Sequence, residues 1–355
     1  MSDSEPEMAP IPVPAKRAPA PAARSAPPQA PRQSDEEPEL APIPAPAKAA
    51  EDKLKGRRTQ LPPELIPGYV LEEWLGEGTM GAVYRAKQIS LDRTVAVKVL
   101  TPHLAKNESY LKRFQREARA VAKLNHPNVV SGIDVGEARG CRYFVMEYVE
   151  GPTLLQLLER DGRIDSMTAT QIILQIARAL DHAHRAGLVH RDVKPANIIV
   201  TTRNSTAKLC DLGLAKEVNE GGADTGEGRA MGTPFYISPE QARGDAAIDI
   251  RSDIYSLGAT YYHAVCGRPP FTGQTPAVIM TKHLNEALVP VRQVVPAAPM
   301  GVAAVIETAL SKSRADRYQT PAEMIHEMEE VVEGKWRPPS QVASRRRLHG
   351  RIRRR

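Results

Sequence analysis

The chain has few cysteines, no long apolar run and an acidic start without an apolar segment. Three scattered cysteines among 355 residues exclude a disulfide framework and a zinc site built from cysteines. No stretch reaches the roughly 20 apolar residues that a membrane-spanning helix needs. The acidic N-terminus gives no secretory signal. We therefore expect a soluble, cytoplasmic protein in a reducing compartment.

Positive charge is concentrated at the C-terminal end. The net charge is +6, but seven arginines lie within residues 345–355, and the rest of the chain stands at −1. The positive net charge therefore comes from the tail, residues 333–355, and does not indicate that the folded part of the chain binds nucleic acid. Two interpretations of the tail stay open: a solvated end, or electrostatic attachment to an anionic membrane surface or nucleic acid, which would add a peripheral membrane location.

Residues 1–66 are rich in proline and alanine and lack aromatic side chains. Such a segment buries too little apolar surface to offset its chain entropy, so we expect a disordered arm. Residues 5–16 (EPEMAPIPVPAK) recur 32 residues later as residues 37–48 (EPELAPIPAPAK). The duplicated motif is either a spacer of polyproline character or two copies of a docking site for a partner.

Periodicity predicts order from residue 67, with strands first and helices second. Strands are expected at residues 69–75, 82–86, 94–100 and 143–148, and helices at residues 110–124 and 166–186. This order predicts an α+β fold of two lobes, residues 67–150 and 151–332, with a cleft between them and a junction near residues 148–151.

A glycine-rich stretch lies between the first two predicted strands. It reads Gly76-Glu77-Gly78-Thr79-Met80-Gly81-Ala82-Val83. A glycine hairpin can bring backbone amides onto phosphates without interference from side chains. Taken alone the motif is weak, because dinucleotide-binding folds use the same spacing and ordinary hairpins are rich in glycine.

Lys98 ends the apolar run Val95-Ala96-Val97, and Glu117 follows 19 residues later in a predicted helix. A lysine at this place often marks only the end of a strand. An ion pair between Lys98 and Glu117 would hold the ammonium group against the α- and β-phosphates of a nucleotide.

The strongest signal is the octapeptide His190-Arg191-Asp192-Val193-Lys194-Pro195-Ala196-Asn197. A second acid, Asp211, follows 19 residues after Asp192. Phosphoryl transfer needs a group that orients the acceptor hydroxyl, oxygen ligands for a metal ion and a cation on the γ-phosphate. Asp192 suits the first task, Asn197 with Asp211 the second, and Lys194 the third.

With these motifs in this order, the chain resembles the eukaryotic-like (Hanks-type) serine/threonine protein kinases, most closely the bacterial members, over residues 69–332. The resemblance implies a transferase that uses ATP with Mg²⁺, or Mn²⁺ in its place, and signals by phosphorylating protein substrates. It implies catalytic roles for Asp192, Lys194, Lys98 and Glu117.

The resemblance also implies positions around the nucleotide. Met146 would be the gatekeeper, and Glu147 and Val149 would bond adenine through their backbones. The adenine ring would lie between the side chains of Leu75, Val83, Ala96 and Ile199. Two roles would be structural: Asp253 would anchor the catalytic loop, and Glu240 would pair with Arg317.

Two departures from the family pattern stand out. Leu212 takes the place of the phenylalanine in Asp-Phe-Gly, and Ser238 stands where alanine is commoner. Lys194 and Thr233 favour serine and threonine as acceptors. Thr153 and Ala196 stand where arginine-directed members often carry acids, so no strong demand for arginine upstream of the acceptor is expected.

Arg191 directly precedes the catalytic aspartate, and in the family such an arginine usually awaits a phosphate on the activation loop. The best acceptor in the polar, glycine-rich segment 214–238 is Thr225. We hypothesise that Thr225 is autophosphorylated and then pairs with Arg191; Glu227 could supply part of that charge unmodified.

Two rival functions are weighed against the enzyme. A pseudokinase scaffold typically loses Lys98, Asp192 or Asp211, and this chain keeps all three. A kinase of small molecules lacks the peptide-receiving segment that runs here from Thr233 to Glu240. The sequence leaves the substrate, the stimulus and the oligomeric state open, a homodimer included, and a fragment of a longer protein remains an alternative to a soluble member.

Overall fold

The computed structural model of the protein describes residues 61–78, 81–100, 118, 122, 124–211 and 234–338. The duplicated motif and the seven arginines of residues 345–355 lie outside these residues. So does most of the helix predicted at residues 110–124, in which Ala118 is described and is helical.

Five antiparallel strands form a single sheet in the order β1-β2-β3-β5-β4. The four strands predicted in this region are confirmed, whereas β4 was not predicted. The strands are β1 (Tyr69–Gly78), β2 (Gly81–Gln88), β3 (Arg93–Leu100), β4 (Gly132–Ala138) and β5 (Cys141–Glu147).

The two faces of β3 belong to different hydrophobic clusters. Val95 and Val97 lie in a cluster of the sheet itself, which also takes in Leu65 and Ile66 from just before the predicted start of the domain. Ala96 belongs to a larger cluster that continues into the helical part of the chain. Because successive side chains of a strand point to opposite faces, Lys98 lies on the same face as Ala96.

The second half of the fold is helical. The helix predicted at residues 166–186 is confirmed, and its predicted apolar stripe of Ile172, Ile176, Leu180 and Ala183 is buried. No helix among the described residues is both long and apolar enough to cross a membrane. The helices are α1 (Leu154–Asp161), α2 (Ser166–Arg185), α3 (Pro239–Arg243), α4 (Ile250–Cys266), α5 (Pro276–Asn285), α6 (Val291–Val294), α7 (Met300–Ala309) and α8 (Pro321–Val332).

A short hairpin connects the two halves. It consists of β6 (Ile198–Val200) and β7 (Ala207–Leu209). Val200 N–H donates to the Pro152 carbonyl in the linker at 2.9 Å, and Val130 N–H, just before β4, donates to the Leu209 carbonyl at 2.9 Å. The predicted α+β fold of two lobes is thereby confirmed, with this hairpin at their junction.

Candidate active site

The glycine-rich stretch forms the predicted hairpin between β1 and β2. Gly76 pairs with Val83, Glu77 with Ala82, and Gly78 with Gly81. A Cβ atom on Gly81 would overlap the carbonyl oxygen of Val99 on β3, so only glycine fits this close approach of two backbones. Thr79 and Met80, which follow Gly78 in the sequence, lie outside the described residues.

The residues expected around adenine come from both lobes. Ala96 on β3 pairs across the sheet with Met146 on β5, and both are buried in the cluster shared by the lobes. Val83 and Val149 are half-buried and pack against that cluster. Of the other two residues expected around adenine, Leu75 is 41% exposed at a register shift of β1, and Ile199 on β6 is half-buried.

Glu147 directs its side chain away from these residues. Its carboxylate forms an ion pair with the Lys208 ammonium at 2.8 Å and accepts a bond from Ser131 N–H at 3.3 Å. Its own N–H donates to the Ser131 carbonyl at 2.9 Å. Any backbone contact of Glu147 with adenine therefore has to use the carbonyl oxygen.

Lys98 is buried, and its ammonium lies 2.8 Å from Oδ1 of Asp211. Glu117, the partner expected from the sequence, lies outside the described residues. Asp211 adopts a positive φ of 54°, a sparsely populated conformation for a residue other than glycine. The contact brings the end of the apolar strand β3 to the acid that follows β7.

Asp192, Lys194 and Asn197 converge because the chain turns back on itself. A single 3₁₀ turn, Pro195–Asn197, returns the chain so that Asn197 Nδ2 donates to the Asp192 carbonyl at 2.8 Å and to its Oδ2 at 3.2 Å. Lys194 Nζ lies 2.8 Å from Asp192 Oδ2. The predicted base, its neighbouring cation and one predicted metal ligand thus form one contiguous group.

The two predicted metal ligands are linked through Cys210. Its N–H donates to the Asn197 carbonyl at 2.9 Å, which fixes Asp211 next to the catalytic loop. Since Asn197 Nδ2 bonds Asp192, the amide oxygen Oδ1 is the atom of this side chain that can bind a cation. A carboxylate and an amide oxygen are the hard ligands that Mg²⁺ prefers, so these residues fit a divalent cation.

Asp253 on α4 holds the start of the catalytic loop. It is fully buried, and its two carboxylate oxygens accept from the N–H groups of His190 at 2.6 Å and Arg191 at 2.7 Å. This confirms the contact expected from the sequence.

His190 Nδ1 accepts from Asp192 N–H at 3.2 Å, so its Nε2 carries the proton and donates to the Cys210 carbonyl at 3.1 Å.

Two histidines that no sequence motif singles out, the buried His283 and the half-buried His263, contact the segment after the activation loop. His283 on α5 bonds the Phe235 carbonyl through Nε2 at 3.1 Å, and its Nδ1 accepts from the Tyr255 hydroxyl at 2.9 Å. His263 Nδ1 shares a hydrogen bond of 2.7 Å with the Tyr236 hydroxyl. Burial lowers the pKa of His283 to about 3 and that of His263 to about 4, so both stay neutral near pH 7.

The predicted pair of Glu240 and Arg317 is confirmed. The two side chains are completely buried and meet in two parallel bonds of 2.8 and 2.9 Å. Besides Thr79 and Met80, the predicted site residues Glu117, Thr225 and Thr233 lie outside the described residues. The expected contact between Arg191 and Thr225 therefore stays a prediction.

Known proteins are similar to this chain over most of its length. The sequence profile of the protein kinase domain matches residues 69–334. The serine/threonine-protein kinase PknB of Mycobacterium leprae is 41% identical over 282 residues, which are 78% of this chain and 45% of that protein. The probable serine/threonine-protein kinase PknB of Bifidobacterium longum is 38% identical over 276 residues, or 75% of this chain and 40% of that protein. This chain thus spans less than half the length of these relatives.

A solved structure shares the fold. The crystal structure of the Mycobacterium tuberculosis PknI kinase domain superimposes with a TM-score of 0.59 at 30% sequence identity. The match covers 74% of this chain and 96% of that domain.

Proposed function

This chain belongs to the protein kinase family, and on that premise we propose that it transfers the γ-phosphate of ATP to serine and threonine hydroxyls of proteins. Members of the family use ATP with a divalent cation and act on proteins. The observation that carries the proposal is the convergence of Lys98 with Asp211 and of Asp192 with Lys194 and Asn197.

Each of these side chains has a distinct task. Asp192 orients the acceptor hydroxyl and takes its proton on a carboxylate oxygen. Lys194, already next to that carboxylate, places a positive charge where the transferred phosphoryl group carries negative charge. Lys98, with Glu117 as its second partner, holds the α- and β-phosphates.

Asn197 and Asp211 hold the metal ion, Mg²⁺ with Mn²⁺ as a substitute, and the ion neutralises charge on the phosphates when bound. The backbone of the Gly76–Val83 hairpin covers the phosphates. Adenine binds between the apolar side chains of the two lobes, against the gatekeeper Met146, and bonds the Glu147 carbonyl and the Val149 backbone.

Specificity for serine and threonine follows from Lys194 and Thr233, which border the acceptor site. Thr153 and Ala196 supply no acid there, so a peptide library should show no strict selection of arginine upstream of the acceptor. Strict arginine selection would contradict this part of the proposal.

We also propose a switch. Phosphorylation of Thr225 by the enzyme itself gives Arg191 an anionic partner and orders the loop. Thr225→Ala should lower turnover, and limited proteolysis should then cut the loop faster than in the phosphorylated wild type. Unchanged turnover and unchanged cleavage would reject the switch.

The terminal segments give further proposals about partners. The proposed arm serves as a spacer or docks a partner through its duplicated motif. Leu65 and Ile66, placed in the arm of residues 1–66 by the sequence prediction, are buried against the sheet and belong to the catalytic domain. Residues 67–332 form the rest of that domain, and residues 333–355 form the basic tail. The tail either stays solvated in the cytoplasm or attaches to anionic lipid or nucleic acid. Co-sedimentation with phosphatidylserine vesicles, with and without residues 345–355 and across salt concentrations, separates these alternatives; a duplex DNA competitor identifies the nucleic-acid case. A homodimer is tested by light scattering.

The direct test of the activity is incubation of the purified chain with ATP and Mg²⁺, followed by identification of phosphorylated residues in the chain and in a generic protein substrate. We expect phosphoserine and phosphothreonine with wild type and neither with Asp192→Asn. Absence of transfer by wild type would favour a signalling scaffold of the pseudokinase kind.

A further inference from the structure

Gln241 lies on α3, directly after the peptide-receiving segment, and both ends of its side-chain amide are bonded. Its Oε1 accepts from Ser238 N–H at 3.1 Å, and its Nε2 donates to the Arg191 carbonyl at 2.8 Å. One end therefore contacts the residue that starts α3 and the other contacts the catalytic loop, 50 residues earlier in the chain.

Ser238 explains why the side chain of Gln241 is held in this place. The Ser238 hydroxyl accepts from Gln241 N–H at 3.3 Å, and the two residues form a complete capping box at the start of α3. The commoner alanine has no hydroxyl and could not form it. Since Oε1 needs a donor and Nε2 an acceptor, the orientation of the Gln241 amide is unambiguous.

The carbonyl that Gln241 contacts belongs to a residue in an unfavourable conformation. Arg191 has a positive φ of 64°, and such conformations persist only when the surroundings hold them in place. On its N-terminal side, Arg191 N–H is held by Asp253 at 2.7 Å. On its C-terminal side, Gln241 holds the carbonyl.

The Arg191 carbonyl and the Asp192 N–H are parts of one planar peptide group. Gln241 bonds one edge of this group at 2.8 Å, and His190 Nδ1 accepts from the other edge at 3.2 Å. These bonds fix the peptide group that precedes Asp192, and the bond from Asn197 Nδ2 to the Asp192 carbonyl, at 2.8 Å, fixes the group that follows it. Together they set the direction in which the Cα–Cβ bond of Asp192 leaves the backbone.

We propose that Gln241 is a positioning residue for Asp192. Through its bonds to Ser238 and to the Arg191 carbonyl, Gln241 couples the position of the peptide-receiving segment to that of the Asp192 carboxylate, which orients the acceptor hydroxyl. The proposal rests on the proposed phosphoryl transfer. It concerns a contact that neither Glu240 on α3 nor Asp253 on α4 supplies.

Two substitutions separate the bond to the catalytic loop from the capping of α3. Gln241→Glu keeps an oxygen for Ser238 N–H but has no proton for the Arg191 carbonyl at pH 8. Gln241→Met loses both bonds at nearly constant volume. The chain offers a matched control in the capping box of α1, where the Gln156 amide oxygen accepts from Thr153 N–H at 2.8 Å. Gln156→Met removes that bond without a partner in the catalytic loop.

The measurement is steady-state transfer to a peptide at saturating ATP and Mg²⁺, with melting temperatures for every variant. We expect kcat of Gln241→Glu and Gln241→Met to fall about tenfold, which is what removal of one hydrogen bond from the transition-state geometry produces. KM for ATP should stay within about twofold, because the nucleotide is held by other residues. Gln156→Met should keep the kcat of wild type.

Wild-type kcat in Gln241→Glu would overturn the proposal. The proposal would also be overturned if kcat fell in all three variants in proportion to the fall in their melting temperatures, since loss of helix capping alone would then explain the effect. If wild type itself transfers no phosphate, the proposed function fails, and hydrogen exchange of the peptide spanning residues 188–194 still tests the contact. Faster exchange in Gln241→Glu than in wild type and Gln156→Met supports it, and equal exchange overturns it.

Discussion

Replacing Arg317 by methionine should strongly destabilise the helical lobe. The Arg317 guanidinium is completely buried and forms two parallel bonds to the Glu240 carboxylate, at 2.8 and 2.9 Å. It also donates to the carbonyl oxygens of Ser311 at 2.7 Å, Arg251 at 3.0 Å and Lys312 at 3.0 Å. The substitution leaves an acid and three carbonyl groups without this donor.

The magnitude follows from the burial. Removing one member of a fully buried ion pair lowers the free energy of unfolding by about 3–5 kcal/mol, because the remaining charge stays in a low-dielectric interior. For a domain of this size each kcal/mol shifts the melting temperature by about 2–4 °C, so the expected fall is roughly 10 °C. The double variant Glu240→Gln with Arg317→Met should recover part of this loss, since no buried charge is left unpaired.

The pH dependence gives a second readout. Burial alone would raise the pKa of Glu240, but bonds from Arg317 and Ser252 outweigh it and hold the pKa below the ordinary value of 4.5. A depressed pKa in the folded state contributes stability above pH 4.5, and this contribution disappears as the pH falls through the folded value. Arg317→Met removes the main cause of the depression, so its stability should decline less steeply in acid than that of wild type.

Urea and thermal unfolding from pH 3 to pH 8 measure both effects. The exposed pair of Arg160 and Asp161 supplies the control, since Arg160→Met should change stability by less than about 1 kcal/mol. If Arg317→Met unfolds within 1 kcal/mol of wild type at pH 7, or if the double variant is less stable than Arg317→Met, the reasoning from the buried charge is refuted.

Three further outcomes are expected. Gly151 lies in the linker, and the Cβ of Gly151→Ala would overlap the carbonyl oxygen of Val200. The free energy of unfolding, measured by urea titration, should fall by about 1–3 kcal/mol. Between pH 6.5 and about 3 the unfolded wild-type chain binds a proton at His283 and the folded chain does not, so the wild-type stability falls as the pH is lowered. His283→Gln removes this group and should make the fall less steep. Asp253→Asn puts an amide donor against one of two backbone N–H groups, so kcat should fall at least tenfold with KM for ATP little changed, as steady-state kinetics will report.

Much of the site could be predicted because its residues cluster in short motifs. The octapeptide around Asp192 needs only one 3₁₀ turn to bring Asn197 back to the aspartate, and such a turn is encoded locally. The same holds for β3, whose alternating valines mark one face and leave Lys98 on the other.

Other features depend on contacts between residues distant in sequence. Strand β4 reads GIDVGEA, in which two glycines and two acids hide the alternation that marks a strand, and its pairing with β5 decides the outcome. The bond of His283 to the Phe235 carbonyl spans 48 residues, and the bond of Gln241 to Arg191 spans 50. No local pattern encodes such pairs. A different limit applies at the end of the domain, where Trp336 lies beyond the predicted boundary at residue 332 and donates from its indole N–H to the Glu327 carboxylate on α8.

The central claim is that Asp192 acts in the transfer step while other residues bind the nucleotide. The most direct test compares wild type with Asp192→Asn in two measurements: affinity for ATP with Mg²⁺ by calorimetry, and single-turnover transfer to a serine peptide. We expect affinities within about twofold of each other and a transfer rate at least a hundredfold lower in the variant, in keeping with the loss of a general base. Equal transfer rates in the two proteins would contradict it.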